Sequence, residues 1–539
     1  MKVLLVVPRY ANTRSPDYGY LFPLGLAYIS SAMKAAGHQV TCINLNHYQG
    51  PTAGLVKRAL DESAFDVLCS GHLGFGVEAL QQIVEAARRH PSHPRVVLGG
   101  IIVTSAPETM IRYLRPDVAV LGEGEETVVE LLATLEKGGA ISGVRGLGYL
   151  DDRGRLVLTP PRDPPADLDA LPWPDFEGLG FRALLDNSFC NVHPFYIFTD
   201  HPRFYPLIGS RGCPFGCTFC YHPERYRARS IPDIMRELRE NVPRYDVNAI
   251  FLYDDLLNAS RPRLEEFCRE MIRLREELER NLRWLCQLSV MNVDREMIRM
   301  LKEAGCYAVG YGFESMSRRV LKSMHKHISP EAIQRAFTLT VAAGLILHAN
   351  FIFGDPAETI ETAETTLDFW ERTCQGQVFL GFVQPFPGSE IYRRCLERGI
   401  ISDALTFIRR GMGFKYSANY INMTDTMTKA QFQALRRRLI RSQMRYYRFV
   451  RPTSLRRTQG NLYEVALRCP FCEREILYRN FLIPHRLNYS IWMNCTFCNR
   501  RFNLLSLFRL MMNRFLPPRL RFALESLYNW GVIRRKNKV

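Results

Sequence analysis

Between residues 1 and 400 the chain alternates short Val/Leu-rich runs with longer amphipathic stretches, and it does so in two sets. The first set of runs covers 3–7, 40–45, 66–70, 95–99 and 118–122, with helical patterns at 24–36, 76–89 and 126–137 between them. Such runs lack the in/out alternation of a strand with one wet face. They predict strands covered on both faces, as in a doubly wound parallel sheet. The second set covers 206–210, 249–253, 284–290, 308–313, 346–353 and 378–383, again separated by helical patterns. Six such units predict an open or partial parallel (β/α)6 barrel. The expected class is therefore α/β, with one domain at 1–140 and a second at 205–400. Pro160, Pro161, Pro164, Pro165, Pro172 and Pro174 mark 141–204 as a linker. From 401 to 539 the pattern changes to a basic helical region around a small cysteine-rich insert.

Composition removes several alternatives. The chain has 539 residues, 47% hydrophobic and 23% charged, which excludes a disordered or collagen-like polymer. There is no apolar run long enough to span a bilayer. The opening Met1-Lys2-Val3-Leu4-Leu5-Val6-Val7 reads as a buried strand rather than a secretion signal, so a cytoplasmic protein is expected. Fifteen cysteines, several in C-x-x-C spacing and without such a signal, point to metal or cluster ligation rather than disulfides. The net charge of +17 is concentrated in the tail, where 27 Lys and Arg face 6 Asp and Glu after residue 400.

The sharpest chemical feature is Gly212-Cys213-Pro214-Phe215-Gly216-Cys217-Thr218-Phe219-Cys220, directly after a predicted strand. Three thiolates in C-x-x-x-C-x-x-C spacing can hold three irons of a four-iron cluster and leave the fourth open. A zinc site is the other reading, with His222 as its fourth ligand. The loop resembles the signature of radical S-adenosylmethionine (SAM) enzymes. That resemblance implies a 4Fe-4S cluster whose open iron chelates SAM and reduces it to a 5′-deoxyadenosyl radical. It also implies a small-molecule substrate and an electron donor such as a flavodoxin or ferredoxin.

The resemblance continues along the second region. Phe219 matches the aromatic that packs near the adenine. Phe251-Leu252-Tyr253-Asp254-Asp255 is similar to the motif that contacts the SAM amino group, which implicates Asp254 and Asp255. Gly312-Phe313-Glu314-Ser315 resembles the "G-I-E-S" strand, whose Glu approaches SAM. Phe351–Thr359 and Gln384–Ser389 resemble the "F-x-x-G-x-P-x-E-T" segment and the closing "P-x-P-G-[ST]" turn.

Three Gly-rich turns end strands of the first domain: Ser70-Gly71-His72 continuing to Gly76, Gly99-Gly100, and Gly122-Glu123-Gly124. All fall at one predicted sheet edge, where doubly wound sheets bind ligands. Before a radical SAM core, this Rossmann-like domain resembles the cobalamin-binding domain of cobalamin-dependent radical SAM enzymes. The D-x-H-x-x-G loop that supplies an axial His in classical cobalamin mutases is absent, so cobalamin is expected without a protein His on cobalt. His72 is the nearest competing ligand.

In the tail, Cys469-Pro470-Phe471-Cys472 and Cys495-Thr496-Phe497-Cys498 have the spacing of a four-thiolate zinc ribbon, with a second iron–sulfur cluster as the rival. Arg436, Arg437, Arg438, Arg441 and Arg445, then Arg519, Arg521, Arg534, Arg535, Lys536 and Lys538, surround it. A solvated face, contact with an anionic membrane surface, and nucleic-acid binding are expected in that order. The activity expected is cobalamin-dependent methyl transfer to an unactivated carbon. Cyclisation, rearrangement or oxidation with the same cofactors is the alternative, and RNA modification using the basic tail is a further one.

Overall fold

Lys2–Val7 is the strand that the opening apolar run predicts, and Val3 through Val7 are fully buried within it. The computed structural model describes residues 1–10, 17–72, 76–191, 199–221, 225–411 and 421–515. The chain divides into two units that are discontinuous in sequence: 1–184 with 218–229 and 384–421, and 185–217 with 230–383 and 422–539. The expected boundaries at 140, 204 and 400 therefore do not coincide with the units.

The first unit holds a seven-stranded sheet. Its order is Gln39–Asn44, Lys2–Val7, Val67–Gly71, Arg95–Gly99, Val118–Val120, Leu147–Leu150, Leu156–Leu158. The first five strands are parallel, and Val3 pairs with both Val40 and Val67. The last two are an antiparallel hairpin, so part of the segment expected to be linker extends the sheet. Its prolines block regular structure locally but not packing. Asp175 takes a hydrogen bond from Ser30 Oγ (2.6 Å) and a salt bridge from Lys34 (2.5 Å).

Helix Val77–Arg89 shows how pattern becomes packing. Val77, Leu80, Ile83, Val84 and Ala87 recur at helical spacing and are buried, while Glu78 and the Arg88/Arg89 pair complement the helix dipole at its two ends. It packs with Thr52–Asp61 on one face of the sheet, and Leu24–Ala35 packs with Glu125–Glu136 on the other. Late residues return to this core, where Ile408 is buried beside Leu405 and Phe407.

The second unit holds a six-stranded sheet of sequential order: Phe204–Leu207, Ala249–Leu252, Arg283–Leu288, Cys306–Glu314, Ile346–Phe353, Phe379–Phe382. Every neighbouring pair is parallel. Trp284, fully buried, stacks edge-on against Phe267 of helix Arg261–Glu277 and donates to Ala304 O (2.8 Å).

The tail departs from the expected helical region. After helix Lys429–Tyr446, capped by Thr428 and Gln431, it is mainly strands in two three-stranded sheets. Period-2 burial along Leu462–Arg468 and Glu475–Leu482 marks strands with one wet face, whereas Arg436, Arg437, Arg438, Arg441 and Arg445 lie on the helix, as expected. Arg438 is committed internally, to Glu371 (2.6 Å) and Glu364 (3.3 Å). The basic cluster from Arg519 to Lys538 lies outside the described residues, as does His222. No helix among the described residues is long and apolar enough to cross a membrane.

Candidate active site

In the first unit the strand order reverses at Lys2–Val7, which lies between Gln39–Asn44 and Val67–Gly71. Ligands of such sheets bind beyond the carboxyl ends of the strands at this switch point. Arg9 and Tyr10 follow one of these strands and His72 the other. The Tyr10 and His72 rings lie 5.1 Å apart. Arg9 is buried and donates to Leu45 O (2.9 Å) and Tyr48 O. Arg9 and Tyr10 had no sequence motif; the strand order alone singles them out.

The Gly-rich turns divide into two kinds. A Cβ on Gly71 would stand 3.0 Å from Gly99 O, one on Gly100 2.7 Å from His72 O, and one on Gly124 2.8 Å from Ile29 Cδ1. Those glycines answer to the protein's own atoms. A Cβ on Gly122 would meet nothing within 4 Å, although its φ of +82° favours glycine in any case, and one on Gly99 would make only ordinary contacts. These two leave open backbone at the sheet edge, the shape that a flat ligand such as cobalamin requires. Ser70 Oγ is turned back to Val6 O (2.8 Å), and Glu123 pairs with Arg227 (3.4 Å). His72 is buried, and burial pushes its pKa down to about 4, so it is neutral at pH 7. Leu73, Gly74 and Phe75 of its turn lie outside the described residues.

In the second unit the cysteine loop leaves the carboxyl end of Phe204–Leu207. Asp254, at the end of the neighbouring strand, is buried; its carboxylate accepts from Gly209 N and Ser210 Oγ, both at 2.6 Å. Burial pushes its carboxyl pKa up against these bonds. Asp254 thus fixes the root of the loop, while Asp255 acts electrostatically on Cys213. Burial also pushes the Cys213 and Cys217 thiols up, and the nearby Lys326 ammonium opposes that effect at both.

Glu314 sits on a register shift at the end of Cys306–Glu314, with a left-handed φ of 59° that is costly for a side chain. Lys326 Nζ holds its carboxylate at 3.1 Å. A Cβ on Gly312 would meet that carboxylate and the Lys326 ammonium, so the glycine leaves room for the pair as it stands. Lys326 escaped the sequence reading because Met324-His325-Lys326-His327 has no distinctive spacing. The chain passes into the first unit after Cys217, so Phe219 and Cys220 belong to that unit's 218–229 segment. There Tyr221 stacks on Phe386 at 6.3 Å, and a Cβ on Gly388 would strike Tyr221 at 2.6 Å. The residue that follows the cysteine motif thus packs on the closing turn.

The Gly354-to-Thr359 segment is structural. Thr359 caps helix Ile360–Phe369 in a capping box with Thr362, and Gly354 N donates to Glu358 Oε2 (2.5 Å). Burial pushes Glu358 up to about 8. The folded state therefore keeps a proton that the unfolded chain loses above its ordinary carboxyl pKa. This contribution to stability is full below about pH 4.5 and is lost as pH rises through about 8. Glu358→Gln is expected to flatten that dependence by up to about 1.4 kcal/mol per pH unit. Denaturant melts of both proteins from pH 5 to 8 check it; equal slopes would refute it.

Residues 207–369 match the radical SAM superfamily, and residues 16–132 match the B12 binding domain. An uncharacterized methyltransferase of Pyrococcus horikoshii is 27% identical over 74% of this chain and 84% of its own. The anaerobic magnesium-protoporphyrin IX monomethyl ester cyclase of Rubrivivax gelatinosus is 24% identical over 73% of this chain and 70% of its own. Among solved structures, the radical S-adenosylmethionine methyltransferase TsrM from Kitasatospora setae, with cobalamin and a 4Fe-4S cluster bound, is similar in fold. Its TM-score is 0.60 at 20% identity, covering 73% of this chain and 75% of that one.

Proposed function

We propose that this chain, which belongs among the radical SAM enzymes that carry a B12-binding domain, is a cobalamin-dependent methyltransferase acting on an unactivated carbon of a small molecule. One observation carries the reading. A switch-point crevice with open backbone at Gly99 and Gly122 shares a chain with a cysteine loop whose Cys217 lies near Lys326 and Glu314.

Cys213, Cys217 and Cys220 would hold the cluster, and Gly99 and Gly122 would receive the corrin face. When bound, cluster and SAM supply a 5′-deoxyadenosyl radical and cobalamin supplies the methyl group. The chain supplies position and charge. Asp254 anchors the loop before its first cysteine, and Lys326 offsets the negative charge gathered around Cys217 and Glu314. The electron comes from a flavodoxin or ferredoxin. We read the four tail cysteines as a structural zinc centre.

The cyclase among the relatives favours a second reading, in which the same cofactors rearrange or cyclise the substrate. Methyl-deuterated SAM, supplied anaerobically with the small-molecule fraction of cells, separates the two. Methyl transfer requires equal yields of S-adenosylhomocysteine and 5′-deoxyadenosine, with the label in a product. Deoxyadenosine alone, with no label transferred, would overturn methyl transfer in favour of the second reading.

A further inference from the structure

We infer that Cys469, Cys472, Cys495 and Cys498 hold one tetrahedral zinc ion, and that the module it folds is the floor under the face of the six-stranded sheet opposite Trp284. The inference rests on the second unit alone and is independent of which reaction the enzyme performs.

The four sulfurs lie within 4.8 Å of one another, the only such group among the described residues. Sγ of Cys469 lies 3.8 Å from that of Cys498, and Sγ of Cys472 lies 3.7 Å from that of Cys495. A zinc ion bound at about 2.3 Å by four tetrahedral thiolates sets their sulfurs about 3.8 Å apart. Four thiolates on the four irons of a cluster radiate from separate metals and stand farther apart than four on one ion. The spacing here is that of one ion. Phe471 N and Phe497 N donate to Cys469 Sγ and Cys495 Sγ (3.4 and 3.3 Å), the backbone donors that a buried thiolate needs.

The module's position follows from where it is tied. Asn499 Nδ2 donates to Gly344 O (2.5 Å), just before Ile346–Phe353. Arg501 donates to Gly376 O (3.0 Å) and to Gln377 Oε1 (2.7 Å), just before Phe379–Phe382. Asn480 Nδ2 donates to Ser188 O and Asp200 O, and Leu482 N to Asn191 Oδ1, on the approach to Phe204–Leu207. Each tie is to a loop that enters a strand. The cysteine loop, Asp254 and Glu314 all lie where strands end, at the opposite edge.

Between these edges runs one row of residues in register. Phe251 pairs with Leu285, Leu285 with Ala308, and Ala308 with Ile346. All four are buried against Tyr463, Val465, Leu467, Tyr478, Phe481 and Phe502 of the module. Paired residues share a face, and Trp284, next to Leu285, lies on the opposite face against its helix. The module therefore covers the face opposite Trp284, where its ties reach the loops that enter the strands. So small an assembly has too little core to hold this shape alone, which is what a structural metal remedies.

Zinc-edge X-ray absorption on the full chain should show one zinc per chain with four sulfur neighbours at about 2.3 Å. Iron–iron scattering that survives in a Cys213→Ala, Cys217→Ala, Cys220→Ala variant, or a chain purified without zinc, would overturn the metal assignment. For the floor, Asn499→Ala with Arg501→Gln removes two ties and leaves the ligands. This variant should keep its zinc while amide exchange at the starts of the four central strands rises at least about tenfold. Cys472→Ser with Cys498→Ser should lose zinc and show the same exchange pattern. If that variant does not fold, the tie variant decides by itself, and unchanged exchange in it would refute the floor role.

Discussion

Replacing Cys213, Cys217 and Cys220 together by alanine is expected to reduce 5′-deoxyadenosine formation from SAM by at least about a thousandfold, to the level of a protein-free control. Two charged groups near Cys217 are poor substitutes for the thiolates. Lys326 cannot ligate as an ammonium, and Glu314 is engaged with it at 3.1 Å. The loop should survive the change, because its root is held by Asp254 through Gly209 and Ser210 rather than by the cysteines. Cobalamin binding, read from its absorbance, should remain, since the Gly99 and Gly122 edge belongs to a separate sheet. Deoxyadenosine persisting in the triple variant would remove the cysteine loop from the chemistry.

The second large effect separates two kinds of glycine. Gly99→Trp starts from a site where a Cβ makes only ordinary contacts, the nearest at 3.6 Å from Val120 O, so the first unit is expected to stay folded with the ring turned to the open edge. The indole would then occupy the open edge and weaken cobalamin binding by at least about 100-fold. Gly100→Ala should do the reverse. Its φ is +93° and its Cβ would press on the His72 backbone at 2.7 Å, so the cobalamin-free protein should lose roughly 2–3 kcal/mol. Equilibrium titration of cobalamin, with thermal melts of the cobalamin-free proteins, distinguishes the two. Full-strength cobalamin binding by Gly99→Trp would place the ligand elsewhere.

Much of this was legible in the sequence. Ile346–Phe353 has the predicted bounds, and Val77–Arg89 begins one residue late, because buried runs and helical spacing are local signals. The tail was misjudged for a related reason. Arg436 to Arg445 do lie on a helix, but the strands that follow, Leu462–Arg468 and Glu475–Leu482, are marked only by their own alternation of buried and exposed residues. Over 141–204, proline reports backbone conformation and says nothing of what Asp175 or Phe176 packs against, so the hairpin at 147–158 and the Asp175 contacts had no sequence signal.

The sequence by itself determined the elements of the two parallel sheets and singled out the cysteine groups, since strand periodicity, helix faces and cysteine spacing are written within a few consecutive residues. Tertiary structure decided everything that depends on partners distant in the chain. It placed Lys326 on Glu314, turned Asp254 to the loop root, and separated glycines that pack on the protein from those left open. It also brought two knuckles 22 residues apart to one-ion spacing. Distances between side chains on different strands depend on strand order and register, which no short stretch of sequence contains.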